Sequence, residues 1–184
     1  FILTREKYQP FYVFFRVKRS NMSKVLDGIK QRAVKLNKHI VLPEGEDKRV
    51  VEAAAVSVKE GVARITLLGN PDEIKKNNPD VDLTGVTVID PKTYSKTEEY
   101  ANLLYELRKE KGMTLELARE TLAKDYTMYG ALMLKAGDVD GMVSGACHST
   151  ANTLRPGLQV IKTAKGTPIV SAYFLMIAPE GGNK

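Results

Sequence analysis

Between Met22 and Ala178, short apolar runs alternate with amphipathic stretches, and this alternation constrains the fold more than any other feature of the chain. Met22, Val25, Leu26, Ile29, Ala33 and Leu36 recur at helical spacing. Residues 39 to 42 then read as a buried strand, stopped by Pro43 and Gly45. Residues 47 to 60 read as a helix that buries Val50, Val51, Ala54, Ala55 and Val58, with Gly61 just past its end. "ARITLLG" is a second strand. Asn70, Pro71, Asp72 and Glu73 form a helix start: a capping side chain, proline in the first turn, then acids at the positive end of the helix. Residues 86 to 90 are a third strand and 95 to 110 a helix that Gly112 breaks. Thr114 caps a helix over 115 to 124, and "YTMYGALMLKA" is a helix ending at Gly137. "DGMVSG" is a fourth strand, "STANTLRPGLQVIKT" holds a helix, and "PIVSAYFLMIA" is a fifth strand. Strands alternating with helices predict an α/β fold with a largely parallel sheet. Nearly continuous apolar strands predict helices on both of its faces.

The expected organisation has three parts. Residues 1–21 read as a non-native or unstructured leader, 22–165 as an incomplete α/β domain, and 166–184 as the start of a truncated second domain. The leader stands apart in charge. It holds Arg5, Lys7, Arg16, Lys18 and Arg19 against Glu6, a net of +4, whereas the whole chain carries +6. The remainder therefore holds only +2, with no basic stripe interleaved with aromatics, so nucleic acid is not an expected partner. No apolar run approaches the ~20 residues that cross a bilayer, so no membrane association is expected. One cysteine, Cys147, leaves no intrachain disulfide and points to a reducing compartment, the cytoplasm. Two histidines far apart in sequence and one cysteine show no zinc-type ligand spacing, so no metal site is expected.

"SGACHSTANTLRPGLQ", residues 144 to 159, concentrates the chemistry. A nucleophilic Cys147 needs a base in reach, and adjacent side chains such as His148 generally diverge. The favoured reading makes Cys147 a small buried residue in a tight turn. Ser149, Thr150, Asn152 and Thr153 suit a helix N-terminus. Pro156 is tolerated in a first turn, which puts the helix start near Thr153; a kinked helix starting earlier is the alternative. Free backbone N–H groups and hydroxyls there would cradle an anion, with Arg155 adding a bidentate fork. An ordinary capped helix with a solvated arginine explains the same residues. In "LPEGEDKR", residues 42 to 49, Glu44, Glu46 and Asp47 precede Lys48 and Arg49, and capping plus a solvated pair is the favoured reading. "ELRKEKG", residues 106 to 112, reads as solvated surface.

"DGMVSGACHSTANTLRPGLQVIKT", "LPEGEDKRVVEAA", "LLGNPDEI", "VIDPKTY" and "YELRKEKGMTLELA" together resemble the phosphate acetyltransferases, within a broader family that includes phosphate butyryltransferases. The resemblance implies a three-layer αβα fold like that of the isocitrate and isopropylmalate dehydrogenases, incomplete here. It implies acetyl transfer between coenzyme A and phosphate, in a homodimer, with coenzyme A as substrate and no cofactor. By the same resemblance, Arg155 and Arg108 are the catalytic residues, and Ser149, Thr150 and Arg155 bind phosphate or acetyl phosphate. A base for the coenzyme A thiol, an aspartate, belongs to a second half that this chain does not include, so the chain alone is expected to be inactive; the alternative readings are a phosphate butyryltransferase or a non-catalytic phosphate- or nucleotide-binding module.

Overall fold

A computed structural model describes residues 2–4, 24–163 and 166. Four strands run parallel: β2 (His39–Leu42), β3 (Arg64–Leu68), β4 (Thr87–Ile89) and β5 (Gly141–Val143). A three-residue strand, β1 (Ile2–Thr4), pairs antiparallel with β5. The sheet order is β1-β5-β2-β3-β4. No periodicity in the sequence marks β1. The rest of the expected leader, the fifth apolar strand and nearly all of the expected second domain lie outside the described residues.

The helices are α1 (Lys24–Leu36), α2 (Lys48–Lys59), α3 (Pro71–Asn77), α4 (Thr97–Arg108), α5 (Leu115–Lys124), α6 (Tyr126–Ala136) and α7 (Thr150–Pro156). Each begins within two residues of its predicted start except α7. The expected caps form: Asn70 accepts from Asp72 and Glu73 N–H, and Thr114 accepts from Leu117 N–H. Gly112 and Gly137 adopt the left-handed conformation, at φ 81° and 89°, that ends their helices.

Side-chain alternation along β3 explains the layering. Ile65 and Leu67 enter a core with Leu42, Val51, Ala54 and Ile74, beneath α2 and α3. Leu68 enters the opposite core with Val41, Met142, Tyr100, Leu104, Leu122 and Leu132, beneath α4, α5 and α6. Successive strand residues face opposite ways, so a strand apolar on both faces must be covered on both. The described residues thus form the expected three-layer αβα arrangement. Helix α6 is the central piece of the second core; Thr127 through Leu134 are all buried. It lies so close to β5 that a Cβ on Gly130 would stand 2.8 Å from Met142 Sδ.

A polar contact ties α4 to the approach of β5. Asp138 accepts from Tyr100 Oη at 2.8 Å and from Lys96 Nζ at 2.5 Å. Tyr100 in turn packs edge-on to Tyr129, with centroids 5.1 Å apart.

The order of the strands marks out one place on the sheet. From β2 the chain moves outward through β3 to β4, then returns to place β5 on the other side of β2. The direction of winding reverses between β2 and β5, and in open α/β sheets ligands bind at such a reversal, outside the carboxyl ends of the strands.

Candidate functional site

Two turns meet at the carboxyl ends of β2 and β5. The first carries Glu44. Its position is fixed by Gly45, whose N–H donates to Leu68 O at 3.2 Å, and whose added Cβ would sit 2.3 Å from that same oxygen. The second turn begins at Gly145, which adopts φ 109°. That conformation favours glycine, and the turn presents successive N–H groups to one point.

Glu44 occupies that point. Its side chain is 1% exposed. Oε2 accepts from Gly145 N–H at 2.7 Å and Ala146 N–H at 2.9 Å. Oε1 accepts from Cys147 N–H at 3.0 Å, His148 N–H at 3.2 Å and His148 Nδ1 at 2.9 Å. Burial opposes ionisation, but the donors from Ala146, Cys147, His148 and Gly145 outweigh it and hold the carboxyl at about 2. The N–H groups of residues 145–148 are therefore taken up by the chain's own carboxylate, whereas the cradle expected at the helix start lies a few residues on, at the beginning of α7. Sequence reasoning missed Glu44, since its partners lie 101 to 104 residues away.

Asp47 and Arg49 behave as the capping and solvated pair that was expected. Asp47 accepts from Arg49 N–H at 2.9 Å and caps α2. Arg49 is largely exposed, yet its guanidinium also donates to Ala146 O at 2.7 Å and straps the two turns together.

Cys147 departs from its expected place. It is exposed rather than buried. His148 does approach it, with Sγ and Nδ1 3.6 Å apart. The pair is still no nucleophile and base. Facing an ionised carboxylate, His148 Nδ1 must carry its proton toward Glu44 and cannot accept one from the thiol. Desolvation, followed by the Glu46 and Glu44 carboxylates, pushes the thiol up to about 12.

Helix α7 starts earlier than Pro156 suggested. Ser149 is the cap, and its Oγ accepts from Asn152 N–H at 3.3 Å. Thr153 donates both N–H and Oγ1–H to Ser149 O, each at 3.0 Å. Pro156 sits seven residues in, at the end of α7, where its missing N–H cannot serve Asn152 O. The backbone widens there into a π-helical turn over Gly157–Ile161, closed by Lys162 N–H on Gly157 O at 2.8 Å. The proline marks an α-to-π transition, a feature that clusters at functional sites.

Of the four residues singled out, three share this segment. Ser149, Thr150 and Arg155 are exposed on or beside α7 at the strand reversal, and Ser149 is engaged as the cap. Arg108 ends α4, half-buried. Its Nε is buried and has no hydrogen-bond partner among the described residues. Both α4 and α7 pack against α6. No hydrogen bond or ion pair links Arg108 with Ser149, Thr150 or Arg155 among the described residues. An arginine nitrogen buried without an acceptor is costly, and a ligand oxygen would relieve it.

Among the described residues no helix is long and apolar enough to cross a membrane. The family model for phosphate acetyl/butaryl transferase matches residues 24–183. Phosphate acetyltransferase of Acetivibrio thermocellus is 54% identical over 155 residues, covering 84% of this chain and 46% of that protein. The Salmonella typhimurium phosphate acetyltransferase is 50% identical over 151 residues, covering 80% of this chain and 21% of its own length. Among solved structures, EutD phosphotransacetylase from Staphylococcus aureus superposes with a TM-score of 0.72 at 35% identity, covering 79% of this chain and 44% of that one. A phosphotransacetylase from Streptococcus pyogenes gives 0.69 at 38% identity, covering 76% and 43%. The chain spans less than half the length of these relatives.

Proposed function

The chain belongs to the phosphate acetyl/butaryl transferase family, and from that premise we propose that it supplies one wall of a phosphate acetyltransferase site. The reaction moves an acetyl group between coenzyme A and phosphate. The coenzyme A thiolate forms a bond to the acetyl carbon of acetyl phosphate, the carbon–oxygen bond to the phosphoryl group breaks, and phosphate leaves with the electron pair. Arg155 and Thr150, with the hydroxyl of Ser149, hold the phosphoryl oxygens. Arg108 offers its unpaired Nε and neutralises charge that develops on the leaving group. Coenzyme A is a substrate and no cofactor is required. The names of the relatives favour acetyl over butyryl as the group moved. The working assembly is a homodimer in the cytoplasm, with neither nucleic acid nor membrane as partner.

One observation carries this reading: the Ser149–Arg155 segment lies at the carboxyl end of β5, beside the reversal of strand order where open α/β sheets bind ligands. Glu44 occupies the N–H groups of residues 145–148, so these are not offered to the phosphate. The test is Arg155→Ala in a protein spanning the full length of the relatives. Acetyl phosphate turnover should fall by about 10²- to 10³-fold, the loss typical of one preorganised charge-stabilising donor, with an unchanged far-ultraviolet circular dichroism spectrum. Near-normal kinetics would remove Arg155 from the site.

A further inference from the structure

The Glu44 turn and the Cys147 turn bring together three potential metal ligands that no spacing in the sequence suggests. One ligand atom from each of Glu44, Cys147 and His148 lies within 4.8 Å of the other two. Glu44 Oε1 is 2.9 Å from His148 Nδ1 and 3.5 Å from Cys147 Sγ, and Sγ is 3.6 Å from Nδ1. A tetrahedral zinc ion binds nitrogen and oxygen at about 2.0 Å and sulfur at about 2.3 Å, so its ligand atoms stand about 3.3 to 3.5 Å apart. The three observed separations match one face of that tetrahedron to within a few tenths of an ångström. Glu46 Oε1, 3.5 Å from Sγ and 3.8 Å from His148 Nε2, stands on the exposed side of the cluster.

We infer that Glu44, Cys147 and His148 form a site for one thiophilic divalent cation, Zn²⁺ or its surrogate Cd²⁺, with a solvent molecule as the fourth ligand. The donor set suits a borderline-soft ion: one sulfur, one imidazole nitrogen and one carboxylate. The site is preorganised, because four backbone N–H groups hold Glu44, and hydrogen bonds to a ligating group fix its orientation. It is also reachable, since Cys147 and His148 are exposed. The cation takes the direction on Glu44 Oε1 that His148 Nδ1–H now occupies. The imidazole proton moves to Nε2, and the thiol proton leaves to solvent. One proton is therefore released for each ion bound. Cation binding at these residues is measured on its own, without acetyl transfer.

Cys147 is the only cysteine in the chain, so a thiolate-to-cadmium charge-transfer band reports on this residue alone. The 184-residue chain, freed of metal and kept reduced, is titrated with Cd²⁺ and then challenged with Zn²⁺. The band should saturate at one equivalent and fall as Zn²⁺ displaces cadmium. It should vanish in Cys147→Ala and in Cys147→Ser. In His148→Ala, Cd²⁺ affinity should drop at least about tenfold, the lower end of the loss seen when even a hydrogen-bonding partner of a metal ligand is removed. Failure of the band to develop in folded wild-type protein overturns the inference. So does saturation at half an equivalent, or an affinity that His148→Ala leaves unchanged.

Discussion

Replacing Glu44 with glutamine tests the central contact of this structure. The carboxylate accepts five hydrogen bonds from nitrogen donors and is 1% exposed. Its pKa is drawn from the ordinary 4.5 to about 2, which corresponds to roughly 3 kcal/mol of stability at neutral pH. Glutamine keeps the shape but offers one acceptor oxygen and turns an NH₂ toward N–H donors. Water reaches the exposed turn at 146–148 and takes up part of the loss, so roughly 3 kcal/mol is a fair upper figure rather than the sum of five bonds. A chain of this size should then melt about 6–12 °C lower. The sign of the pH dependence comes from the direction of the shift. The folded pKa lies below the unfolded one, so the contribution is complete above pH ~5 and is lost as pH falls through 4.5 toward 2. Roughly 1.4 kcal/mol of it survives at pH 3. Urea unfolding of both proteins at pH 7, 5, 4 and 3, followed by far-ultraviolet circular dichroism, measures the gap directly. A gap below ~0.5 kcal/mol at pH 7, or one that stays constant down to pH 3, would refute the assignment of Glu44 as an internal counter-ion.

The same turns yield two more expected outcomes. Gly45→Ala drives a Cβ to within 2.3 Å of Leu68 O, a backbone atom that cannot swing away; denaturation should show a loss at the upper end of the ~1–3 kcal/mol typical of overpacking, and an unchanged midpoint would contradict the geometry. Cys147 should react slowly with iodoacetamide at pH 7.5 despite its exposure, because its thiol is pushed up to about 12, and Glu46→Gln should speed the reaction; a rate like that of free cysteine in the parent protein would contradict it.

The scaffold was legible because its signals are local. β2 has its predicted limits, β3, β4 and β5 lie within the predicted runs, and α5 and α6 have the ends that Thr114 and Gly137 imply. Burial of Val51 and Ala54 follows from helical spacing alone. The site was less legible, for three physical reasons. Glu44 looks like any acid in a polar turn until folding brings a turn from a hundred residues away against it. Pro156 does not follow the first-turn rule, because Ser149 captures the helix start sooner and the proline falls where α7 gives way to a π-turn. Arg108 carried no signal of its own in the sequence and came from family resemblance; its unpaired Nε appears only once α4 is packed.

The junction between Glu44 and residues 145–148 also bears on the order in which the chain acquires its shape. β2, α2 and β3 can associate early, since they are neighbours in sequence. The clamp cannot close until β5 has docked, and closing a loop of about 100 residues carries an entropic cost of roughly 4 kcal/mol before any bond compensates it. The wall that holds Ser149, Thr150 and Arg155 is therefore expected to assemble after β2, α2 and β3. Contacts absent from the rate-limiting barrier govern how fast a protein opens rather than how fast it forms. A clamp that closes after the barrier would act as a latch on the native state, setting its lifetime rather than the speed of assembly.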